Sequence, residues 1–492
     1  MAIILPTSTT SAGIVISNAD VAESDLLWVR ESVELISTSS TAISISHQNL
    51  DMKIDGDVVA NDYGVRVDSS AANTDYEYNV TLGETANVIT NTSFAIYIGA
   101  NATNTDLAYG AINLANAGEV TAFDRGAVLL FNANQANFSN SGTITSNSTT
   151  NYFDAAVSFA IVKNALFDNS GLIQRLHDTS GPSKDTATVS FFSSTEVVSA
   201  TNSGTILSGR IAIYSDATVS ETLTNSGQIV GDVELSTVVG GTLNNFGLID
   251  GDVTTKGGND IVSNNGMMTG VLDLGADDDA YTAIAGGVVL GGVLGGTGND
   301  TLTGGSNADF LDGGADNDRL FGRGGDDDLR GGLGSDFMSG GMGDDQIIGD
   351  DGSDKMFGGS GDDTLNGGRD KDTIHGGDGN DEIKGGRLND VLNGGAGADV
   401  FVYGVKQDSS TGASDVIQDY EVGIDKIDLS AVASGLTFVG TAAFSGTGNE
   451  VRYDIAGNGR TYIQVDTDAN GSADMRIWLT DVGALSVDDF VL

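Results

Sequence analysis

The chain contains no cysteine, only two prolines and only three histidines in 492 residues. Without cysteine there is no disulfide framework and no thiolate metal site. With so little proline, the 70 glycines are not of collagen or linker type and must serve repeated turns. Basic residues are scarce: 22 Lys+Arg stand against 69 Asp+Glu, a formal net charge of −47. Nucleic-acid binding needs clustered Lys and Arg, so no nucleic acid is expected as a partner, nor an anionic membrane surface. Charge of one sign on this scale opposes compaction. Either a cation neutralises the folded state or the acid is concentrated in one region. No run of about 18 apolar residues occurs, so no transmembrane segment is expected. The apolar stretch near Met1 is too short, and too poor in preceding Lys or Arg, for a cleaved signal peptide.

What the chain has instead is repetition. From Gly295 to Val402 it reads as twelve uninterrupted nine-residue units, from GGTGNDTLT to GGAGADVFV. Position one is always Gly. Position six is always Asp: Asp300, Asp309, Asp318, Asp327, Asp336, Asp345, Asp354, Asp363, Asp372, Asp381, Asp390 and Asp399. Position eight is always Leu, Ile, Met or Phe. The first six residues suit a tight turn in which glycine supplies backbone angles that a Cβ forbids. Residues seven to nine suit a short strand whose middle side chain points inward. At position four, Asn307, Asp316 and Asp370 replace glycine with the residues that best tolerate left-handed backbone. Leu388 breaks this rule and is expected to mark a distorted or empty site.

This array resembles the RTX (hemolysin-type) nonapeptide GGxGxDxUx, a calcium-binding parallel β-roll repeat. The resemblance implies two units per coil and calcium held between stacked turns by the position-six aspartates and by turn carbonyls. The carbonyls expected to take part are those of Gly296, Gly298, Gly305, Gly332, Gly334, Gly341, Gly343, Gly359, Gly361, Gly377 and Gly379. Roughly ten Ca2+ ions are expected, each taking 6–8 oxygen ligands. The array carries 23 Asp+Glu against 8 Lys+Arg, so without calcium it should stay unfolded. Extracellular calcium modules bind at about 10⁻⁴–10⁻³ M, so folding is expected after export.

After the array, Asp415-Val416-Ile417-Gln418-Asp419-Tyr420 and Gly423-Ile424-Asp425-Lys426-Ile427-Asp428-Leu429 are similar to the region that follows the RTX array in serralysin-type proteins. The end of the chain, Asp488-Asp489-Phe490-Val491-Leu492, resembles their uncleaved type I secretion signal. The resemblance implies the type I secretion machinery as a partner and a secreted protein of a Gram-negative bacterium. Within this region Asp466-Thr467-Asp468-Ala469-Asn470-Gly471 echoes the start of an EF-hand loop. Its twelfth position would be Ile477 rather than a bidentate Glu, so a plain hairpin turn is expected.

The first 290 residues carry a looser pattern, Asn-x-Gly-x-(Ile/Val/Met), beginning at Asn116, Asn140, Asn169, Asn202, Asn225, Asn245 and Asn264. A period near 20 with short β runs predicts a solenoid with two or three strands per coil, with the Asn stacked in an amide ladder at one corner. It resembles the right-handed parallel β-helices of bacterial surface proteins. The expected organisation is all-β. It comprises an N-terminal segment over 1–50 with a helical cap across Asp20–Ile36, a β-solenoid over 51–290, a calcium-bound parallel β-roll over 295–402 and a small β-rich region over 403–492.

Catalytic signatures are sparse. His47, His177 and His375 are far apart, and there is no HExxH, so the serralysin protease motif is missing. Residues 1–290 hold nine Lys+Arg, without the cation cluster a uronate-processing β-helix enzyme needs. Asp277-Asp278-Asp279 could supply paired acids, but adjacent turn aspartates more often meet calcium or solvent. Tyr76, Tyr78, Tyr97, Tyr109, Tyr152 and Phe153 could stack on sugar, but core packing is the commoner use. The expectation is a non-enzymatic, calcium-binding surface-layer, filament or adhesive-matrix protein at the cell surface. It would self-associate through calcium and contact cell-surface polysaccharide. A secreted polysaccharide-active β-helix enzyme (lyase, epimerase or glycosidase) is the alternative, and an RTX-type toxin or effector a third, more remote one.

Overall fold

The computed structural model describes residues 3–4, 9–10, 14–17, 26–30, 33–37, 41–46, 49–69, 76–100, 110–147, 155–176, 187–192, 196–235, 240–456 and 460–492. Among the described residues, apart from one short 3-10 turn, Val487–Asp489, the regular elements are all strands. The chain divides into two compact units, Met1–Asp273 and Leu274–Leu492.

In the first unit each coil contributes three short strands, and each strand pairs in parallel with its counterpart one coil on. Asn49–Ile54 pairs with Glu77–Leu82, Asp57–Ala60 with Asn87–Thr90, and Val65–Ser69 with Ile96–Ala100. Side chains alternate because successive Cβ atoms leave a strand on opposite faces. Val58, Val88, Val120 and Ile144 therefore stack inside at 0% exposure. Phe138, Phe159, Phe167 and Phe191 form a continuous aromatic stack, with ring centroids 4.8 to 6.3 Å apart.

Parallel pairing already begins at Ile3–Ile4, which pairs with Leu26–Val29. Of the helical cap expected over Asp20–Ile36, the described residues are not helical: Leu26–Val29 and Glu34–Ser37 are strands. The inward residues Leu27, Val29 and Leu35 recur at the strand period of two rather than the helical 3.6, and all are buried.

The Asn-x-Gly motif forms the expected corner. Asn116, Asn140, Asn169, Asn202, Asn225, Asn245 and Asn264 stack so that each Nδ2 donates to the next Oδ1 at 2.7–2.9 Å. All seven are buried. The glycine two residues on is required by close approach. A Cβ on Gly204 would sit 2.1 Å from the carbonyl oxygen of Gly171 in the preceding coil.

In the second unit the register step is eighteen residues: Phe310 lies beside Asp328, Arg319 beside Phe337 and Gln346 beside Thr364. Two nonapeptides therefore make one coil, as expected. The position-eight side chains from Leu302 to Phe401 are at most 1% exposed and form a core one side chain thick. Beyond the array the strands Asp415–Ile417 and Lys426–Asp428 continue the two sheets. Met475–Thr480 and Phe490–Val491 then pair onto them. Glu450–Ile455, Arg460–Asp466 and Met475–Thr480 form an antiparallel sheet, and Asp466–Met475 is its hairpin turn. No helix among the described residues is long and apolar enough to cross a membrane.

Candidate metal centre

The twelve position-six aspartates form one repeating structure. In all but Asp309, Oδ1 accepts the main-chain N–H of an aspartate one coil earlier. Asp300 donates to Asp318, Asp309 to Asp327, and so on to Asp381 and Asp399, at 2.8–3.0 Å. Every one of these side chains is buried. In eleven of the twelve the second oxygen, Oδ2, is buried with no hydrogen-bond partner. A buried carboxylate oxygen left unsatisfied costs about 1–3 kcal/mol or more, so a repeated one signals a missing partner.

The surroundings say what that partner is. The ideal Cβ position of Gly358 lies 2.2 Å from Asp363 Oδ2 and 2.5 Å from the carbonyl oxygen of Gly376. Gly349 and Gly367 have the same environment. Position one is glycine because a Cβ there would fill a cradle of oxygens. Positions two and four are glycine for another reason: Gly332, Gly341, Gly359, Gly377, Gly334, Gly343, Gly361 and Gly379 all have φ between 107° and 142°. The nearby donors are hard oxygens, with no nitrogen or sulfur ligand, which suits Ca2+ rather than zinc. The residues fit the ion: the position-six aspartates would hold it with the turn carbonyls. When bound, calcium supplies the positive charge that these carboxylates lack.

Electrostatics point the same way. Burial, aided by neighbouring carboxylates and opposed by the N–H bond, pushes Asp318 and Asp372 up to about 8. It pushes Asp327, Asp354, Asp363 and Asp390 up to about 7. Asp300, Asp345 and Asp399 rise to about 6.

One turn departs from the pattern, and it is not the expected one. Leu388 adopts φ 83°, the same left-handed backbone as its glycine counterparts, with its side chain 46% exposed. The turn is kept and the leucine bears the strain. The departure is at Gly305, which does not take positive φ; its N–H donates to Asp309 Oδ2 at 2.7 Å. Asp309 is thus the one position-six residue whose second oxygen is satisfied within the chain, and Gly305 is the weakest of the predicted ligands.

The ladder also runs past both ends of the motif. Asp279 donates its N–H to Asp300 Oδ1, Asp390 to Asp415 Oδ1 and Asp399 to Asp425 Oδ1. Asp419 closes the last turn by accepting from the N–H groups of Gly394 and Gly395. In the first unit Asp260 is buried and accepts from Gly241 N, behind left-handed Lys256 and Gly258 and followed by inward Val262. The signal was present as Gly-Gly-Asn-Asp-x-Val and Asp-Asp-Asp-x-Tyr. It was obscured because Thr255 and Leu274 stand where position one is otherwise Gly.

Other candidate groups resolve differently. Asp277–Asp279 form a turn of array type, not an acid pair across a cleft. Tyr76 and Tyr78 are buried and stacked at 4.8 Å, and Tyr97 packs edge-on to Tyr63. Tyr109, Tyr152, Phe153, His47 and His177 lie outside the described residues. His375 stacks on Phe357. Asp466, Asp468 and Asp474 bring carboxylate oxygens within 4.8 Å of one another. Main-chain N–H groups already engage Asp466 and Asp474, and Ile477 is buried.

Two curated relatives match over short stretches. Metallopeptidase AprA of Pseudomonas marginalis is 43% identical over 94 residues, 18% of this chain and 19% of that protein. Serralysin A of Dickeya chrysanthemi is 34% identical over 96 residues, 19% and 20%. The chain thus spans about a fifth of the curated relatives it matches. Among solved structures, the AlgE6R2 and AlgE6R3 subunits of the Azotobacter vinelandii mannuronan C5-epimerase match at 26% and 28% identity. They cover 32% and 36% of this chain and 91% and 78% of those chains, with TM-scores of 0.21 and 0.16. The family described as peptidase M10 serralysin C terminal matches residues 169–492. With its aspartate ladder and glycine cradles running through that span, the chain belongs to the serralysin C-terminal family, whose RTX arrays bind calcium.

Proposed function

We propose that this is a secreted, non-enzymatic structural protein of a Gram-negative cell surface: a subunit of a surface layer, filament or adhesive coat. The array leaves the cell unfolded through the type I machinery and folds when it meets millimolar calcium. The three-sided solenoid presents the contact surface, with cell-surface polysaccharide as its ligand class. The observation that carries this reading is the row of eleven buried, unpartnered Oδ2 atoms, a fold that demands a cation at every coil. A net charge of −47 makes copies repel one another unless a cation intervenes, which ties assembly to the same ion.

The test is electron microscopy of the full-length protein, first in chelator and then at millimolar calcium. Ordered sheets or filaments that appear only with calcium support the proposal. A folded monomer at millimolar calcium would leave the array as an export device only.

A further inference from the structure

In a chain of net charge −47, one sheet of the roll turns outward a face whose strand centres carry no acid. Its strands Thr301–Thr303, Arg319–Gly324, Phe337–Met342, Lys355–Ser360, Thr373–Asp378 and Val391–Ala396 each pair in parallel with the next. Position eight points into the core, so positions seven and nine point out. None of these outward residues is Asp or Glu, and the sole acid along the strands is Asp378, at a turn end. The same positions on the opposite sheet carry Asp312, Asp328 and Glu382.

Aromatic side chains fill the middle of the acid-free face. The Phe321 and Phe337 rings lie 5.5 Å apart, Phe337 and Phe357 5.6 Å, and Phe357 and His375 5.0 Å with 5° between their planes. All four are half-buried, so together they make an apolar ridge. Cations lie against it. The Arg319 guanidinium carbon is 5.7 Å from the Phe321 ring centroid and 5.0 Å from that of Phe337, and Lys355 Nζ is 5.0 Å from Phe357. Arg323 stands two residues beyond Phe321 on the same outward side. All three cations are exposed, and among the described residues none pairs with a carboxylate. The position-seven row continues in register through Val391 and Val416 to Trp478, where Arg476 lies 6.0 Å from the ring. The cation cluster missing from residues 1–290 is thus found on the roll.

A surface of this kind calls for an occupant that is linear, apolar on its flanks and negatively charged at a short repeat. The strand spacing of ~4.8 Å sets that repeat. Stacking on a ring leaves the N–H groups of Arg or Lys directed to a carboxylate, while the rings take up C–H surface. We propose that this face binds a polyuronate, a linear polysaccharide with a carboxylate on every sugar ring. Its C–H faces pack on Phe337 and Phe357, and its carboxylates meet Arg319, Arg323 and Lys355. A second copy of the chain fits less well. Its exposed carboxylates, such as Asp326, Asp344 and Asp362, sit in glycine turns with no apolar surface beside the charge. A flat anionic bilayer would bring those same turn acids against its own charge. Calcium in the turns offsets the surrounding acid, so the calcium-bound roll is the form that binds. The inference gives the roll a ligand as well as a folding role, and does not depend on assembly.

The test is calorimetric titration of the full-length protein at millimolar calcium with a galacturonate hexamer, and with an uncharged glucose hexamer for comparison. The acidic hexamer should bind, less tightly as salt rises. Arg319→Gln with Lys355→Gln should weaken binding at least about tenfold, and Phe337→Ala with Phe357→Ala by a similar factor. Lys384→Gln, on the opposite sheet, should leave it unchanged. Circular dichroism checks folding; should the ring variant fail to fold, the charge variant, which alters only exposed side chains, decides alone. A folded wild type that ignores the acidic hexamer overturns the inference. So does equal affinity for the uncharged one, or a loss in Lys384→Gln as large as in the charge variant. Intact hexamer binding in the charge variant, with loss of anionic-vesicle binding or of self-association, also overturns it and reassigns the face to a membrane or a second copy. Sedimentation velocity on the same proteins keeps the two readings apart. Normal assembly without hexamer binding removes this inference alone, and hexamer binding by a wild type that stays monomeric removes the assembly reading alone.

Discussion

The main-chain N–H of Asp390 donates to Asp415 Oδ1 at 2.9 Å across 25 residues, where the rungs within the array span 18. The seven extra residues are taken up between Tyr403 and Ser414, where the chain leaves the roll and returns in phase. Ser409 Oγ accepts the N–H of Asp415 and donates to the carbonyl of Arg476, pinning the return. Asp415 is fully buried, its Oδ2 has no partner, and burial raises its carboxyl well above the usual range. The demand for a cation therefore extends past the last nonapeptide.

An interior rung should be indispensable. Asp345→Asn keeps the Oδ1 acceptor but removes the charge from the cradle. Calcium titration by calorimetry should show lost sites, and urea unfolding at saturating calcium should show a loss of about 2 kcal/mol. Asp309→Asn should cost distinctly less, because Gly305 N–H already engages its Oδ2.

Acid should partly replace calcium. The buried aspartates have folded pKa values raised to about 6, 7 or 8, as at Asp345, Asp363 and Asp372. The unfolded value is about 3.9. The folded, metal-free state thus binds more protons, and its stability falls as pH rises between these values. Their contribution is fully present below about pH 4 and lost as pH climbs through about 6 to 8. In chelator, far-ultraviolet circular dichroism should show strand content rising from pH 8 to pH 5. Strand content independent of pH would contradict the assigned burial.

The amide ladder of the first unit should carry its stability independently of calcium. Asn202→Ala strands Asn169 Nδ2 and Asn225 Oδ1 in a buried corner. A loss of about 3 kcal/mol is expected. It should be read as a lower thermal transition in chelator, with the calcium-dependent transition unchanged.

Leu388→Gly should stabilise the calcium-bound protein. Leucine at φ 83° is strained, and its exposed side chain gains little from packing. A gain of about 1 kcal/mol is expected, seen as a raised melting temperature at saturating calcium.

Much of this was legible in the chain because β-rolls and solenoids are built from local repeats. Period nine with an apolar position eight was visible directly, while the coil of two units came from the resemblance to the RTX nonapeptide and is borne out by the eighteen-residue register. The Asn-x-Gly corners were equally readable, because an amide that must bond to its own kind in the next coil has to recur. The helical reading of Asp20–Ile36 failed because a segment without a visible repeat gives no phase, and the decisive fact was strand pairing with distant residues. Asp260, Asp279, Asp415 and Asp425 escaped notice because the ladder needs only a carboxylate and an N–H one coil away. That condition survives without the flanking glycines that make the motif visible.

By itself the sequence determined the repeat and the direction in which charge must be compensated, because these depend on residue type and spacing along the chain, and its resemblance to the RTX nonapeptide implied calcium. Only the tertiary structure decided which oxygens are orphaned, where the ladder ends, and that Gly305 rather than Leu388 is the irregular turn. Those relationships are made between coils, where distance along the chain says little about distance in space.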